Sequence, residues 1–313
     1  MGRKPTPPVE VPSLAGEQDA FQVVLTALLT MGSILFIMHK AMSSNKSKVA
    51  SPGTWLASPT QNGAKYKWEM FNLYYSAVWI SCFVAIVAFK LYESFDAAGY
   101  MAVCGGLTIP IFLLPLFDFA GISEAETCWH KRFSFRANLW MAIYSFIGNY
   151  WYTHYFYCIL KAGYSMPSWR LNDVPIPLYF ATFFYFCTYH SLSNAAIRKV
   201  CTSYSPSTMR ALFLVLLVVF MSYVTAFMET FTISAYPDYF FEDRNMMYSI
   251  GSAFYGIYFL VSFPMFYRFD EWPRYHGPVS LLNSCVDSLG CGMLILLGLD
   301  FTRLLLGMPL TIK

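Results

Sequence analysis

The sequence predicts an all-α, polytopic membrane helical bundle of about eight transmembrane helices. Hydrophobic residues make up 57% of the 313 residues and charged residues only 12%, whereas a soluble protein carries about a quarter charged residues. The mean hydropathy is +0.45. The apolar residues are gathered in stretches of about 20, the length that crosses a bilayer as a helix. A composition so poor in charge cannot cover a water-facing surface.

Eight such stretches occur along the chain. They cover residues 21–39, 70–89, 99–117, 137–160, 175–196, 211–233, 246–267 and 279–300. The stretch 40–68 is rich in Lys, Ser, Pro and Gly, which is typical of a flexible linker. We therefore expect an N-terminal extension, residues 1–68, with one span and this linker, followed by a seven-helix domain, residues 69–313.

The distribution of basic residues predicts the orientation, because cytosolic loops are enriched in Lys and Arg. One set of alternate loops holds 13 of the 21 Lys and Arg residues. These are loops 40–68, 118–136, 197–210 and 268–278, which we assign to the cytosol. Loops 161–174 and 234–245 then face the lumen together.

Several classes of function are excluded by what the sequence lacks. The net charge is only +3 and the basic residues are scattered, so no stripe for a nucleic-acid backbone is present. The eight cysteines form no C-x-x-C pair and the five histidines are not clustered, so we expect no metal, haem or disulfide framework. Acid–base chemistry on an apolar molecule, or transport, remains. The aromatic content of 19% suits a bulky, rigid, apolar ligand.

Charged or titratable groups at membrane depth are costly, so each is a functional candidate. Glu229 lies about 18 residues, or ~27 Å, into its predicted span, where burial would keep it neutral as a proton donor. His154 lies near the same predicted end of its own span. Asp287 lies among small residues in the last span. The alternatives are an interfacial ion pair for Glu229, a core histidine for His154 and a helix-packing hydrogen bond for Asp287.

Aromatic residues follow one face of the helix that carries His154. Trp140, Tyr144, Trp151 and Tyr155 recur at helical spacing. Trp151, Tyr155 and Tyr144 are therefore candidates to line a ligand pocket, although such a stripe also occurs in ordinary cores. Tyr258 is a further candidate. His190, with Asn194 four residues later, is either a second ligand contact or a hydrogen-bonded structural histidine.

Acidic residues near the span ends are better explained as ion-paired or snorkelling groups of the membrane interface. This interpretation covers Glu93, Asp243 beside Arg244, Asp270 with Glu271, and Asp300 with Arg303.

Many short segments, in order, resemble the cycloeucalenol cycloisomerases, the cyclopropyl sterol isomerases of plant-type sterol synthesis. The matching segments are Lys90–Glu93, Arg136–Trp140, Gly148–Phe156, Pro167–Trp169 with Asn172 and Val174–Pro175, Tyr189–His190, Ser193–Asn194, Glu229–Thr230, Asp243–Arg244, Met247–Tyr248, Gly251, Phe254–Tyr255, Ile257–Phe259, Val261–Phe266, Arg268, Asp270–Glu271, Val286–Asp287 and Leu289–Gly290. They cover about residues 66 to 310. The N-terminal extension departs from the family pattern.

The resemblance implies an intramolecular lyase of the endoplasmic reticulum membrane. Such an enzyme opens the 9β,19-cyclopropane ring of cycloeucalenol to give the Δ8 sterol obtusifoliol, without a redox cofactor. Its partners would be the sterol substrate and membrane lipids. The family supplies no residue roles, so we expect, from the residues alone, Glu229 and His154 as the proton-transfer pair and Asp287 as a reserve acid. The alternatives are a non-catalytic sterol carrier or transporter and a sterol double-bond isomerase.

Overall fold

A computed structural model describes residues 17–44, 52–116, 128–234, 236–271 and 279–308. Its α-helices are α1 (Glu17–Ser43), α2 (Gly63–Ala88), α3 (Ala97–Leu113), α4 (Phe133–Ile147), α5 (Thr153–Ile159), α6 (Ile176–Ser203), α7 (Thr208–Ile233), α8 (Arg244–Met246), α9 (Ser252–Tyr267) and α10 (Leu281–Leu305). Two π-helical turns, Gly148–Tyr152 and Met247–Gly251, join α4 to α5 and α8 to α9. Short 3₁₀ turns cover Leu91–Ser94, Leu114–Leu116 and Trp129–Lys131. The strands are β1 (Gly163–Tyr164), β2 (Arg170–Leu171), β3 (Val174–Pro175) and β4 (Tyr239–Phe240).

The predicted all-α membrane bundle is confirmed. The described helices form eight rods, one for each predicted span, because the π turns join α4 to α5 and α8 to α9. Five described helical segments are long and apolar enough to cross a membrane by length and composition. They are Phe21–Ser43, Gly63–Ala88, Thr208–Ile233, Arg244–Tyr267 and Leu281–Leu305. The number of eight crossings stays a prediction.

One end of the bundle is closed by a small cap in which two distant loops meet. Strand β1 pairs antiparallel with β4, so Gly163 lies opposite Phe240. A Cβ at Gly163 would lie 2.4 Å from the Phe240 ring, so a larger residue there would require this exposed ring to move. Ser165 also donates its backbone N–H to the Asp238 carbonyl at 2.9 Å. The two loops predicted to share one side of the membrane therefore do share one end of the bundle.

The opposite end is held by a buried ionic cluster, which consists of Lys65, Glu69, Arg198 and Glu271. The Arg198 guanidinium donates to Glu271 at 2.7 and 2.8 Å and to Glu69 at 2.7 and 2.9 Å. Lys65 Nζ lies 2.8 Å from Glu271 Oε2 and also donates to the backbone carbonyls of Tyr267 and Phe269. Burial raises the pKa of Glu271, but the hydrogen bonds from Arg198 and the charge of Lys65 outweigh it, so this pKa lies below its ordinary value.

The prediction that acidic residues at the span ends are ion-paired is confirmed for four of them. Glu271 belongs to the ionic cluster, Asp270 Oδ2 lies 2.7 Å from Arg136 Nη2, and Asp300 pairs with Arg303. Glu93 Oε1 lies 3.9 Å from Lys90 Nζ. Lys65, Arg136, Arg198 and the 270–271 pair come from the four loops predicted to be cytosolic. Their meeting at one end confirms that these loops share a side, while its assignment to the cytosol stays a prediction.

The N-terminal extension packs on the bundle. Phe21 lies against the rings of Phe227 and Tyr248, with centroids 5.8 and 6.5 Å apart. At the other end of α1, the Tyr204 hydroxyl lies 2.5 Å from His39 Nδ1. The linker predicted over 40–68 is shorter than expected, because α1 continues to Ser43 and α2 begins at Gly63. Residues 1–16 and 45–51 lie outside the described residues.

What remains of the linker is held by side chains of the ionic end. Arg198 Nη1 donates to the Trp55 carbonyl at 3.0 Å, and the Ala57 N–H donates to Glu69 Oε2 at 3.0 Å. Lys199 Nζ donates to the Pro52 carbonyl at 2.6 Å. Hydrogen bonds between a loop and charged side chains that are distant in sequence cannot be read from the composition of the loop. The Pro- and Gly-containing stretch 40–68 was therefore predicted to be flexible.

Small residues let α7 and α9 approach closely. Ala226 is fully buried, and a Cβ at Gly256 would lie 3.6 Å from the Ser222 carbonyl. Close approach at small residues is the usual way in which membrane helices pack. This contact brings Glu229 of α7 within hydrogen-bond distance of Tyr255 of α9.

Candidate active site

A cavity of about 80 Å³ lies inside the bundle on the cap side. Its walls come from α5, α6, α7, α9, both π turns and the cap. It is lined by Gly148, Asn149, Thr153, Phe156, Tyr157, Ala162, Tyr164, Thr182, Phe186, Glu229, Thr230, Ile233, Tyr239, Met247, Tyr255 and Tyr258. Ten of these 16 residues carry a polar side-chain atom, and Glu229 is the ionisable carboxyl among them.

Glu229 lines this cavity, and one of its two carboxyl oxygens is hydrogen-bonded whereas the other has no hydrogen-bond partner. Oε1 accepts a hydrogen bond from the Tyr255 hydroxyl at 2.8 Å, and the Tyr189 hydroxyl also approaches the carboxyl group. Oε2 is buried and has no hydrogen-bond partner. Among the described residues no Lys, Arg or His lies within ion-pair distance of Glu229. The predicted alternative of an interfacial ion pair is therefore not what the structure contains.

Aromatic rings surround the Glu229–Tyr255 pair. The Tyr255 and Tyr258 rings lie 4.8 Å apart, and Phe156 packs edge-on against both at 5.7 and 6.1 Å. The faces of such rings carry negative electrostatic potential, which stabilises a positive charge without offering it a nucleophile. The cavity thus combines a carboxyl group with a wall suited to a cation.

The π turn Gly148–Tyr152 contributes Asn149 to the cavity wall, and the Asn149 amide is hydrogen-bonded. Asn149 Nδ2 donates to the Ser145 carbonyl at 2.9 Å and to Thr182 Oγ1 at 2.7 Å. Thr182 in turn donates to the Leu178 carbonyl at 2.9 Å. π turns are rare and occur frequently at functional sites. Both π turns of the described chain contribute to this cavity, the second through Met247.

The cap closes the cavity with two tyrosines. Tyr164 of β1 and Tyr239 of β4 both line it, with ring centroids 4.9 Å apart. Burial raises the pKa of both phenols above their ordinary value, so they stay protonated and act as neutral walls.

The predicted proton-transfer pair is not brought together at the cavity wall. His154 is buried, its Nε2 has no hydrogen-bond partner, and its ring lies 5.7 Å from that of Tyr157. Thr153 and Tyr157 of the same helix line the cavity, whereas His154, between them in sequence, is not among the lining residues.

Asp287 lies away from the cavity in a polar contact of its own. Its Oδ2 accepts a hydrogen bond from Trp140 Nε1 at 2.8 Å, and its Oδ1 is paired with Arg268. Ser288 donates to the Trp140 carbonyl at 2.7 Å beside it. These contacts join α10 to α4 and to the end of α9, which is the helix-packing alternative considered for this residue.

Of the predicted ligand contacts, Tyr258 lines the cavity. Trp151 is 43% exposed, and the buried Tyr155 packs against Phe254. Tyr144 is fully buried beside His190, with centroids 5.4 Å apart. Both nitrogens of His190 are satisfied, by the Phe186 carbonyl at 2.7 Å and by Ser262 Oγ at 2.9 Å. The hydrogen-bonded description of this histidine is confirmed.

Tyr255, Tyr189 and Asn149 were not singled out as site residues from the sequence. The first two lie in ordinary aromatic stretches, and only the packing of α7 against α6 and α9 brings their hydroxyls to Glu229. Asn149, an uncharged amide in a span, carried a weak signal, because a polar side chain at membrane depth normally has a partner or a function.

Comparison with known proteins identifies the family. No family model and no solved structure matches the chain. The curated protein named cycloeucalenol cycloisomerase from Arabidopsis thaliana is 38% identical over 261 residues, which cover 82% of this chain and 91% of that protein. At this identity and coverage, the chain belongs to the cycloeucalenol cycloisomerase family and is an isomerase of sterol biosynthesis embedded in a membrane.

Proposed function

We propose that this protein opens the 9β,19-cyclopropane ring of cycloeucalenol to give the Δ8 sterol obtusifoliol, in the endoplasmic reticulum membrane. The observation that carries the proposal is the carboxyl group of Glu229, buried in a tyrosine-lined cavity with Oε2 unbonded. Membership of the family supplies the substrate class. The seven-helix part, residues 69–313, would carry the chemistry, with α1 bracing it.

The reaction needs one proton added and one removed. Protonation of C19 breaks the C9–C19 bond, makes the C19 methyl group and leaves a cation at C9. Loss of the C8 proton then forms the C8–C9 double bond. Phe156, Tyr255 and Tyr258 line the cavity where the cation would develop, and their ring faces would stabilise it.

We assign both proton steps to Glu229. No histidine, lysine or second carboxyl group is among the described residues that line the cavity. The carboxyl group would protonate C19, and the carboxylate so formed would remove the C8 proton and restore the acid. His154 as the second group is the competing scheme, and Asp287, already paired with Arg268, is the weakest candidate.

The test is incubation of the purified protein with a 9β,19-cyclopropyl sterol in D₂O. We expect a Δ8 product with one deuterium in its C19 methyl group, provided that the acid exchanges with solvent between turnovers. A wild-type protein that binds the sterol and releases it unchanged would instead be a carrier. Conversion of a sterol that has a double bond and no cyclopropane ring would identify a double-bond isomerase.

A cationic sterol analogue provides a second measurement. A sterol with an ammonium group at the C8 or C9 region should bind more tightly than its neutral isostere, because it resembles the cation of the reaction. Equal affinity of the two analogues would contradict a C9 cation.

A further inference from the structure

The cavity that Glu229 lines also carries a hydrogen-bonding site that ring opening does not use. We propose that Asn149 and Thr153 bind the 3-hydroxyl group of the sterol and thereby set its position in the cavity. The inference rests on the proposed function for the identity of the alcohol. A sterol of this class has a hydroxyl group as its polar end, so one polar site away from the reacting carbons is what its recognition needs.

The orientation of the Asn149 amide is fixed by its partners. A backbone carbonyl can only accept hydrogen bonds, so the side of the amide that faces the Ser145 carbonyl at 2.9 Å must be Nδ2. The second N–H of Nδ2 is donated to Thr182 Oγ1 at 2.7 Å. Both donors are thus used within the protein, and Oδ1 remains as an acceptor.

Asn149 Oδ1 accepts no hydrogen bond from the described residues, and it is not among the sealed, unpartnered polar atoms of the bundle. Because Asn149 lines the cavity, this acceptor is open to a ligand there. An acceptor with no donor of its own selects a group that carries a hydrogen, such as an alcohol.

Thr153 supplies the complementary group. It lines the same cavity, and its hydroxyl has only a long contact of 3.4 Å with the Gly148 carbonyl. The Thr153 hydroxyl can therefore rotate and donate a hydrogen bond to the oxygen of an alcohol. The hydroxyl of the same alcohol would donate its own hydrogen bond to Asn149 Oδ1. Thr182, by contrast, donates to the Leu178 carbonyl at 2.9 Å and accepts from Asn149, so it supports the site without a free proton.

Asn149 and Thr153 share a wall because they are four residues apart, and residues at that spacing lie on one face of a helix. Asn149 lies within the π turn Gly148–Tyr152, and Thr153 directly follows it. An interhelical hydrogen bond alone, the ordinary reason for a buried asparagine in a membrane helix, would account for Nδ2 but not for an Oδ1 left open toward a cavity.

The experiment compares a 9β,19-cyclopropyl 3-alcohol with its 3-deoxy analogue. For the wild-type protein we expect kcat/KM for ring opening to favour the alcohol by at least roughly tenfold, because the deoxy compound leaves Oδ1 unpaired. Asn149→Leu should reduce this preference to near one. Thr153→Val, which preserves shape, should reduce it partly.

Thr108→Val is the matched control, because it makes the same chemical change as Thr153→Val at a buried threonine that does not line the cavity. It should keep the preference for the alcohol. Equal loss of preference in Thr108→Val and Asn149→Leu would reduce Asn149 to a packing role and overturn the proposal. A wild-type protein that opens both substrates equally well would overturn it without any variant.

Failure of the proposed function would be seen separately. If the wild-type protein opens neither compound, ring opening is wrong, and the subsite is judged by displacement of tritiated cycloeucalenol. Displacement by the alcohol but not by the deoxy analogue, lost in Asn149→Leu, would still support the hydroxyl site. Equal displacement by both would overturn it.

Discussion

Replacement of Glu229 by Gln tests the centre of the proposed chemistry with little change in shape. The amide keeps a carbonyl oxygen for the Tyr255 hydroxyl, which lies 2.8 Å from Glu229 Oε1. An NH₂ group would stand where Oε2 has no partner, at a cost of about 1–3 kcal/mol for a buried unsatisfied donor. The variant should therefore fold with moderately reduced stability.

The effect on turnover should be much larger than the effect on folding. Loss of a general acid–base group typically lowers the rate by ~10²–10⁴-fold, which corresponds to about 2.7–5.4 kcal/mol of the barrier. Tyr255→Phe removes a hydrogen bond to the same group but leaves its proton, so we expect a smaller loss, of roughly tenfold, from a bond worth about 1.5 kcal/mol.

The assay is the initial rate of Δ8 sterol formation by purified protein, with sterol binding and the unfolding temperature measured on the same samples. Glu93→Gln is the matched control, because it makes the same chemical change at a side chain that is 61% exposed. A Glu229→Gln protein that binds sterol and turns it over within threefold of the wild-type rate would refute the assignment.

Four further outcomes follow from the structure. His154→Gln should keep turnover within roughly tenfold of wild type, and a loss as large as that of Glu229→Gln would favour the two-residue scheme. Arg198→Met should lower the free energy of unfolding by about 3–5 kcal/mol because it leaves the buried Glu69 carboxylate without its ion-pair partner; an unchanged unfolding temperature would contradict this. The pKa of Glu271 lies below its ordinary value of 4.5. The ionised Glu271 carboxylate therefore stabilises the fold fully above pH 4.5, and this stabilisation is lost as the pH falls through the folded-state pKa. The unfolding temperatures of wild type and Glu271→Gln should converge in acid. Phe21→Ala should cost about 0.5–1.5 kcal/mol of stability for its lost ring contacts yet leave kcat unchanged, and a lower kcat would make α1 part of the site.

The fold was predictable because membrane helices obey strong constraints. A backbone in lipid must satisfy its own hydrogen bonds, so apolar stretches of the right length mark helices, and the basic residues sort the loops into two sets. The contacts that close the two ends were not predictable. Lys65 and Arg198 looked like loop charges, and their pairing with Glu271 depends on how three distant helix ends meet.

The residues of the site were predicted only in part, and physical reasons explain both the success and the failure. Glu229 is a charged group within an apolar span, which stands out in any sequence. The predicted aromatic stripe through Tyr144 and Trp151 requires a regular α-helix, but the π turn Gly148–Tyr152 lies between its two ends. A wider turn rotates all later residues about the helix axis, so Tyr144 is fully buried whereas Trp151 is 43% exposed. No sequence pattern predicts a π turn.

The two ends of the bundle are stabilised by different physics, and this difference suits the proposed reaction. Buried ion pairs add little net stability, but a shift in helix register would leave charges uncompensated, so the ionic cluster fixes how α2 and α6 meet the end of α9. The cap is joined by strands of two residues each, and separating them would break few hydrogen bonds and no buried ion pair of the described residues. A bulky sterol needs an opening of the protein, whereas proton transfer needs Glu229 and Tyr255 held at a constant distance. An opening at the cap would meet both requirements, because the Glu229–Tyr255 hydrogen bond depends on the packing of α7 on α9 and not on the pairing of β1 with β4.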